Sequence, residues 1–295
     1  MQHNTSYRWF IIKLSRAVSL LILTVCFLNG DIEAGESDGY RIGLTSVILT
    51  DKTAFLKDWQ TYLAEQMNQP VKFIQRQTYR EIVDLLLAGD LDAAWLCGYP
   101  YVRHNNKLKL LSVPLFKSKK TYHSYLIVTS SDTETLTLLD LKNKVFAYSD
   151  PDSNSGYLYP QISLINMGID PQYYFAKTFF TWSHRGVIKA VADGVAQGGA
   201  VDSYVWEMLA KKEPELTSRT RVVSISPEYG FPPFVIRREL TQQRAEHLQK
   251  TLIDMSSDVT GSILLHQLGL DGFVLGNDDL YNSISESIQI LEDGV

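Results

Sequence analysis

Four short segments carry the side chains most able to do chemistry, and each begins where an apolar run stops. The first, Ser149-Asp150-Pro151-Asp152-Ser153-Asn154-Ser155-Gly156-Tyr157, lies between a strand pattern and a helical one. Ser and Asn at such a junction leave the first backbone N–H groups of the helix without internal partners. Those groups, with the positive end of the helix dipole, attract an anion. The hydroxyls of Ser153 and Ser155 add donors, and Gly156 lets a ligand approach the backbone. The plainer reading is a helix cap with polar decoration. Calcium binding begins well, because Asp150, Asp152 and Asn154 have the D-x-D-x-N spacing. It fails at Ser155, where the loop needs glycine, and at Gln161, where it needs a bidentate Glu.

The second segment, Thr181-Trp182-Ser183-His184-Arg185, is another strand-to-helix junction. His184 can donate to an oxyanion from both ring nitrogens when protonated and from one when neutral, or it can serve only the cap region. The third, Gly199-Ala200-Val201-Asp202-Ser203-Tyr204, ends a strand in a carboxylate that can meet a ligand ammonium or cap the next helix. The fourth, Trp95-Leu96-Cys97-Gly98-Tyr99-Pro100-Tyr101, reads as a strand end with two tyrosines. Tyr99 and Tyr101 can wall a pocket and offer hydroxyls, or pack in the core.

Catalysis finds no support. The chain has no G-x-S-x-G elbow, no Walker phosphate loop and no G-x-G-x-x-G. Its six His residues include no H-x-x-H or H-x-x-x-H pair, so a metal site lacks the usual helical spacing. We expect no catalytic residue, no metal and no cofactor.

The elements that must position these segments alternate. Strand patterns at Tyr40 to Leu44, Val71 to Ile74 and Leu91 to Leu96 enclose helical ones at Thr53 to Met67 and Tyr79 to Ala88, the latter closed by Gly89. The alternation restarts at Lys144 to Ser149 and runs through helices at Gly156 to Met167, His184 to Asp193 and Val205 to Lys211. This order predicts two α/β lobes, each a mostly parallel sheet flanked by helices. Chain crossings at Tyr122 to Thr129 and Arg221 to Arg237 would join them as hinges. The boundaries expected are 35–124 with 226–295 for the first lobe and 125–225 for the second. A cleft between lobes, at the carboxyl ends of strands, is a favoured ligand site. All four segments fall just there.

Arg8, Lys13 and Arg16 precede an uncharged stretch from Ala17 to Leu28, the order of a secretory signal peptide and too short for a spanning helix. We take residues 1–34 as that peptide. A lipoprotein cut before Cys26 is disfavoured by the bulky Val25. Cleavage removes three bases and two acids and moves the net charge from −5 to −6, leaving no electrostatic footprint for nucleic acid. Cys97 is then the one remaining cysteine, so no internal disulfide can form.

The string DPDSNSGYLYP, followed by TWSH and GAVDS and preceded by WLCGYPYV, resembles the phosphate/phosphite/phosphonate-binding family of ABC-transporter binding proteins. The resemblance runs from about Tyr40 to Asp293 and includes GDLDAA and PPFVIR. It implies a type II-like periplasmic binding protein that is a monomer, holds a phosphonate, phosphite or phosphate, and hands it to a membrane permease. The family's Ser/Thr-rich turn that grips the phosphoryl oxygens matches Ser153, Asn154 and Ser155, beside Gly156. Many relatives have Thr where Asn154 stands, so one hydroxyl donor becomes an amide. The oxyanion-contacting His matches His184, and the carboxylate that can meet an amine matches Asp202. The pocket Tyr matches Tyr101, with Tyr99 as neighbour. Two other classes stay open: a ligand-sensing module for a membrane receptor, and an exported enzyme acting on phosphoesters.

Overall fold

The computed structural model describes residues 39–45 and 53–293. The signal-type segment, residues 1–34, lies outside them.

In the first half, β1 (Tyr40–Leu44) pairs in parallel with both β2 (Val71–Gln75) and β3 (Ala93–Trp95). The helix α1 (Thr53–Met67) buries Phe55, Trp59, Tyr62 and Leu63, the face its spacing marks. The helix α2 (Tyr79–Leu87) opens on a reciprocal cap: the Thr78 hydroxyl accepts the Glu81 N–H, and the Glu81 carboxylate accepts the Thr78 N–H. Its apolar stripe of Ile82, Val83 and Leu86 is buried. After β3 comes a six-residue helix, α3 (Gly98–Arg103), where the sequence reads only as a strand end. β4 (Leu108–Leu115) follows, then the two-residue β5 (Thr121–Tyr122).

The chain enters the second lobe through β6 (Ser124–Thr129), β7 (Val145–Tyr148), β8 (Lys177–Phe180), β9 (Gly198–Asp202) and β10 (Thr220–Ile225). These form a five-stranded sheet in the order β10-β6-β9-β7-β8. Against it lie α4 (Tyr159–Ile165), α5 (His184–Ala192), α6 (Ser203–Lys212) and the short α7 (Pro214–Thr217). The return passes through β11 (Tyr229–Gly230), which pairs with β5 as a two-stranded ribbon, to β12 (Phe234–Arg237) and later β13 (Gly272–Val274). The first sheet is therefore six-stranded, ordered β13-β4-β12-β3-β1-β2. Its core stacks Trp95 on Phe234 at 5.7 Å, with Trp59 and Phe273 edge-on to Phe234.

The fold is two-lobed α/β, but the sheets are mixed rather than mostly parallel. Pairings between strands joined through helices within one lobe, such as β7 with β8 and β9, are parallel. The strands that arrive from the crossings run the other way: β6 is antiparallel to β9 and β10, and β12 to β3 and β4. A strand entering from the other lobe has no crossover helix to reverse it.

Three helices fill the C-terminal part: α8 (Gln242–Asp254), α9 (Val259–Leu268) and α10 (Asn282–Asp293). α10 packs on α3 of the first lobe and on α4 of the second. The sequence boundaries give residues 226–295 to the first lobe, whereas this last helix touches both.

Candidate oxyanion-binding site

β7 delivers the chain to Ser149, and the next residues fold back on themselves. Asp150 Oδ1 accepts the Asp152 N–H at 2.8 Å, and the Asp150 carbonyl accepts the Ser153 N–H at 3.0 Å. Ser153 then caps a helical segment, its Oγ accepting the Gly156 N–H at 3.0 Å. This first turn, Asn154–Leu158, is a π-helical turn that leads into α4. It closes five residues on, with the Leu158 N–H donated to the Ser153 carbonyl at 3.0 Å. Such turns are rare and recur at functional sites. The Asn154 N–H goes to Cys97 Sγ at 3.2 Å across the lobe boundary. That leaves the N–H groups of Ser155 and Tyr157 as the open donors of the turn among the described residues.

Ser149, Asn154, Ser155 and Gly156 are all buried. Ser149 Oγ and Asn154 Oδ1 make no hydrogen bond among the described residues, and Ser155 Oγ, beside the Tyr122 phenol, lies outside hydrogen-bond geometry with it, although all three are shut off from solvent. An unpaired buried polar atom costs about 1–3 kcal/mol; an acceptor ligand would relieve the two hydroxyls, which can donate, whereas Asn154 Oδ1 can only accept. Gly156 has no room for a side chain, because a Cβ there would lie 1.9 Å from Ser149 Oγ.

Tyr122, on the crossing strand β5, reaches into this turn. Its phenol oxygen accepts from Asn154 Nδ2 at 3.0 Å and lies beside the Ser155 hydroxyl. Burial, with the neighbouring Cys97 and Asp202, pushes the phenol well above its usual range. Cys97 is raised by burial to about 12 and stays a thiol.

His184 and Asp202 meet behind the turn. The Asp202 N–H donates to His184 Nδ1 at 3.2 Å, so the ring hydrogen sits on Nε2. Burial lowers the His184 pKa to about 3, so the ring is neutral and offers one donor. Asp202 Oδ1 accepts the N–H groups of Tyr204 at 2.7 Å and Val205 at 3.3 Å, which makes it the cap of α6. Burial raises its carboxyl to about 7.

The two tyrosines of α3 part company. Tyr99 stays at the lobe boundary, with the Arg103 guanidinium 5.5 Å from its ring centre. Tyr101 turns away: its hydroxyl donates to Asp278 Oδ1 at 2.5 Å, and its ring meets Tyr281 edge-on at 5.2 Å. On a strand, residues two apart share a face. On a helix they are about 200° apart, so both cannot wall one pocket. The structure thus places Ser153, Asn154, Ser155 and Gly156 in one turn, packs the strand ending in Asp202 against it and joins His184 to Asp202, while Tyr99 lies at its margin and Tyr101 elsewhere.

Sequence reasoning missed Tyr122, Ser149 and Cys97 as members of the cluster. Ser149 stood in the singled-out string but read as the end of a strand. Nothing in the local sequence marks Tyr122, since its place depends on the crossing. Among the described residues, no group of three His, Cys, Asp or Glu side chains is placed to hold a metal.

Comparison with known proteins identifies the family. The profile of the ABC-transporter phosphonate periplasmic substrate-binding proteins matches residues 43–281. A probable ABC transporter phosphite-binding protein, PhnD1 of Prochlorococcus marinus, is 25% identical over 236 residues, covering 76% of this chain and 80% of the relative. The phosphate-import protein PhnD of Mycolicibacterium smegmatis is 28% identical over 164 residues, 51% of this chain and 50% of that one. The structure of the Prochlorococcus protein in complex with methylphosphonate superposes with a TM-score of 0.77 at 22% identity, covering 86% of this chain and 98% of that one. A binding-protein component of an ABC phosphonate transporter from Pseudomonas aeruginosa gives 0.79 at 20% identity, with 87% of each chain covered. The family is one of transporter substrate-binding proteins rather than enzymes, which disfavours the sensing alternative. The chain belongs to the phosphonate family of ABC-transporter periplasmic substrate-binding proteins.

Proposed function

We propose that this protein captures a small phosphorus oxyanion, a phosphonate or phosphite, with the phosphoryl group seated on the turn from Ser153 to Gly156. The observation that carries this reading is the pair of buried, unpartnered hydroxyls at that turn, Ser149 Oγ and Ser155 Oγ, each with a hydrogen to donate. Phosphoryl oxygens would accept from the two hydroxyls, from the Ser155 N–H and from His184 Nε2. The Ser153 hydroxyl already accepts the Gly156 N–H and still has its own hydrogen to donate. Asn154 replaces the hydroxyl of many relatives with an amide, and Tyr122 fixes that amide in place.

Delivery to a membrane permease follows from the family, and the exported location with it. A methylphosphonate complex in one structural relative and the phosphite and phosphate names of two sequence relatives support the ligand class. A thermal-shift screen against phosphate, phosphite, sulfate, methylphosphonate and 2-aminoethylphosphonate tests it. A ligand that binds only the native state raises Tm, and we expect phosphorus oxyanions to do so and sulfate not to. A flat response to every phosphorus oxyanion would refute the reading.

A further inference from the structure

The turn that faces the oxyanion also clasps the other lobe, and the clasp is made by its two carboxylates. Asp150 Oδ2 accepts the backbone N–H of Tyr79 at 3.1 Å. Tyr79 is the first residue of α2, in the first lobe. The other oxygen of Asp150 holds the Asp152 N–H inside the turn. One buried carboxylate therefore ties the fold of the turn to the start of a helix across the cleft. Asp152 adds Arg80 at 3.4 Å and Arg103 at 3.7 Å, again from the first lobe.

α2 is built to receive this carboxylate. Its own cap, Thr78, accepts from Glu81, three residues into the motif, which leaves the N–H of Tyr79 for an outside acceptor. The positive end of the helix dipole favours a negative charge there. The two acids that would repel a bound anion are thus engaged by first-lobe donors.

We propose that Asp150, supported by Asp152, is a closure latch that couples oxyanion binding to the approach of the lobes. Both are positioning residues: they hold the turn against α2 without touching the ligand. The proposal rests on the reading of the Ser153–Gly156 turn as the phosphoryl site. Opening the cleft must break the Asp150–Tyr79 bond together with the arginine contacts. A ligand that orders the turn also orders Asp150, so each event favours the other.

Spin labels on the exposed residues Arg76 and Lys177, one in each lobe, report lobe separation by pulsed dipolar spectroscopy, since the native Cys97 is buried. Two variants are compared with the labelled parent, with and without saturating methylphosphonate. Asp150→Asn weakens the latch acceptor while keeping its shape. Arg80→Ala/Arg103→Ala removes the partners of Asp152 from largely exposed positions and leaves the turn intact. In Asp150→Asn we expect longer separations and methylphosphonate release about tenfold faster, the scale of one hydrogen bond to a charged group. The arginine pair should move both readouts the same way by less, as exposed ion pairs do. Unchanged distances and release in both variants overturn the latch. Should no oxyanion bind the parent, the site reading fails, and the distances without ligand still decide the latch.

Discussion

The backbone N–H of Asp202 donates to Nδ1 of His184 at 3.2 Å, and this bond joins two buried groups whose titrations oppose each other. His184 is lowered from 6.5 to about 3, so its contribution to stability is complete above pH 6.5 and is lost as pH falls toward 3. Asp202 is raised from 3.8 to about 7, so its contribution is complete below pH 3.8 and is lost as pH rises toward 7. Between these limits the two slopes offset each other. His184→Gln should therefore expose the Asp202 slope and give a protein that gains stability on acidification from pH 7 to 4. Asp202→Asn keeps a capping side chain and should lose stability more steeply than the parent below pH 6.5. Urea midpoints across this range would show it, and parallel profiles for all three proteins would refute it.

Because His184 is neutral, its donation to a ligand should not depend on its own protonation near neutral pH. We expect His184→Ala to weaken methylphosphonate binding by about 1.5–3 kcal/mol, the range for a hydrogen bond to a charged group. Calorimetry at pH 7 measures this. Parental affinity in the variant would return His184 to a purely structural role.

Ser149 and Ser155 should show the signature of groups kept for a ligand. Removing a buried hydroxyl that has no partner relieves a desolvation penalty of about 1–3 kcal/mol. The Ser149→Ala and Ser155→Ala proteins should thus unfold at the parental urea midpoint or above it, while binding methylphosphonate at least about tenfold more weakly. A loss of stability with affinity intact would show that the hydroxyls serve the fold instead.

Gly156 offers the converse test. A methyl at this position would meet Ser149 Oγ at 1.9 Å and Ser149 Cβ at 2.8 Å. Gly156→Ala should cost about 1–3 kcal/mol, as overpacking does, and should displace the hydroxyl that faces the turn. Gly156→Ala combined with Ser149→Gly should recover most of the stability and none of the affinity, as read by urea unfolding and calorimetry.

Much of this was legible because it depends on neighbours in the chain. Thr78 and Glu81 have capping-box spacing, and the stripe of Ile82, Val83 and Leu86 marks the buried face of α2. The capped turn that opens α4 is legible in Ser153, Asn154, Ser155 and Gly156 between strand and helix. What stayed hidden depends on contacts between distant residues. Tyr122 enters the site only because β5 and β11 pair at the crossing. Tyr99 and Tyr101 read as a strand end because a six-residue helix begun by Gly98 and Pro100 has weak local propensity. The antiparallel direction of β6 and β12 follows from chain crossings, which no alternation of apolar residues records.

No Lys or Arg is bonded to the Ser153–Gly156 turn among the described residues, and the neighbouring guanidiniums, Arg80 and Arg103, face Asp152 instead. The chain as a whole carries a formal charge of −5. The net charge of the chain therefore offers an approaching anion no long-range attraction. Association should run at the pace of an uncharged encounter, and added salt should leave it unchanged or hasten it by screening that net charge. A receptor of this kind trades speed of capture for indifference to the saltiness of its surroundings. With the oxyanion seated as proposed, its release would require parting from no fixed positive charge.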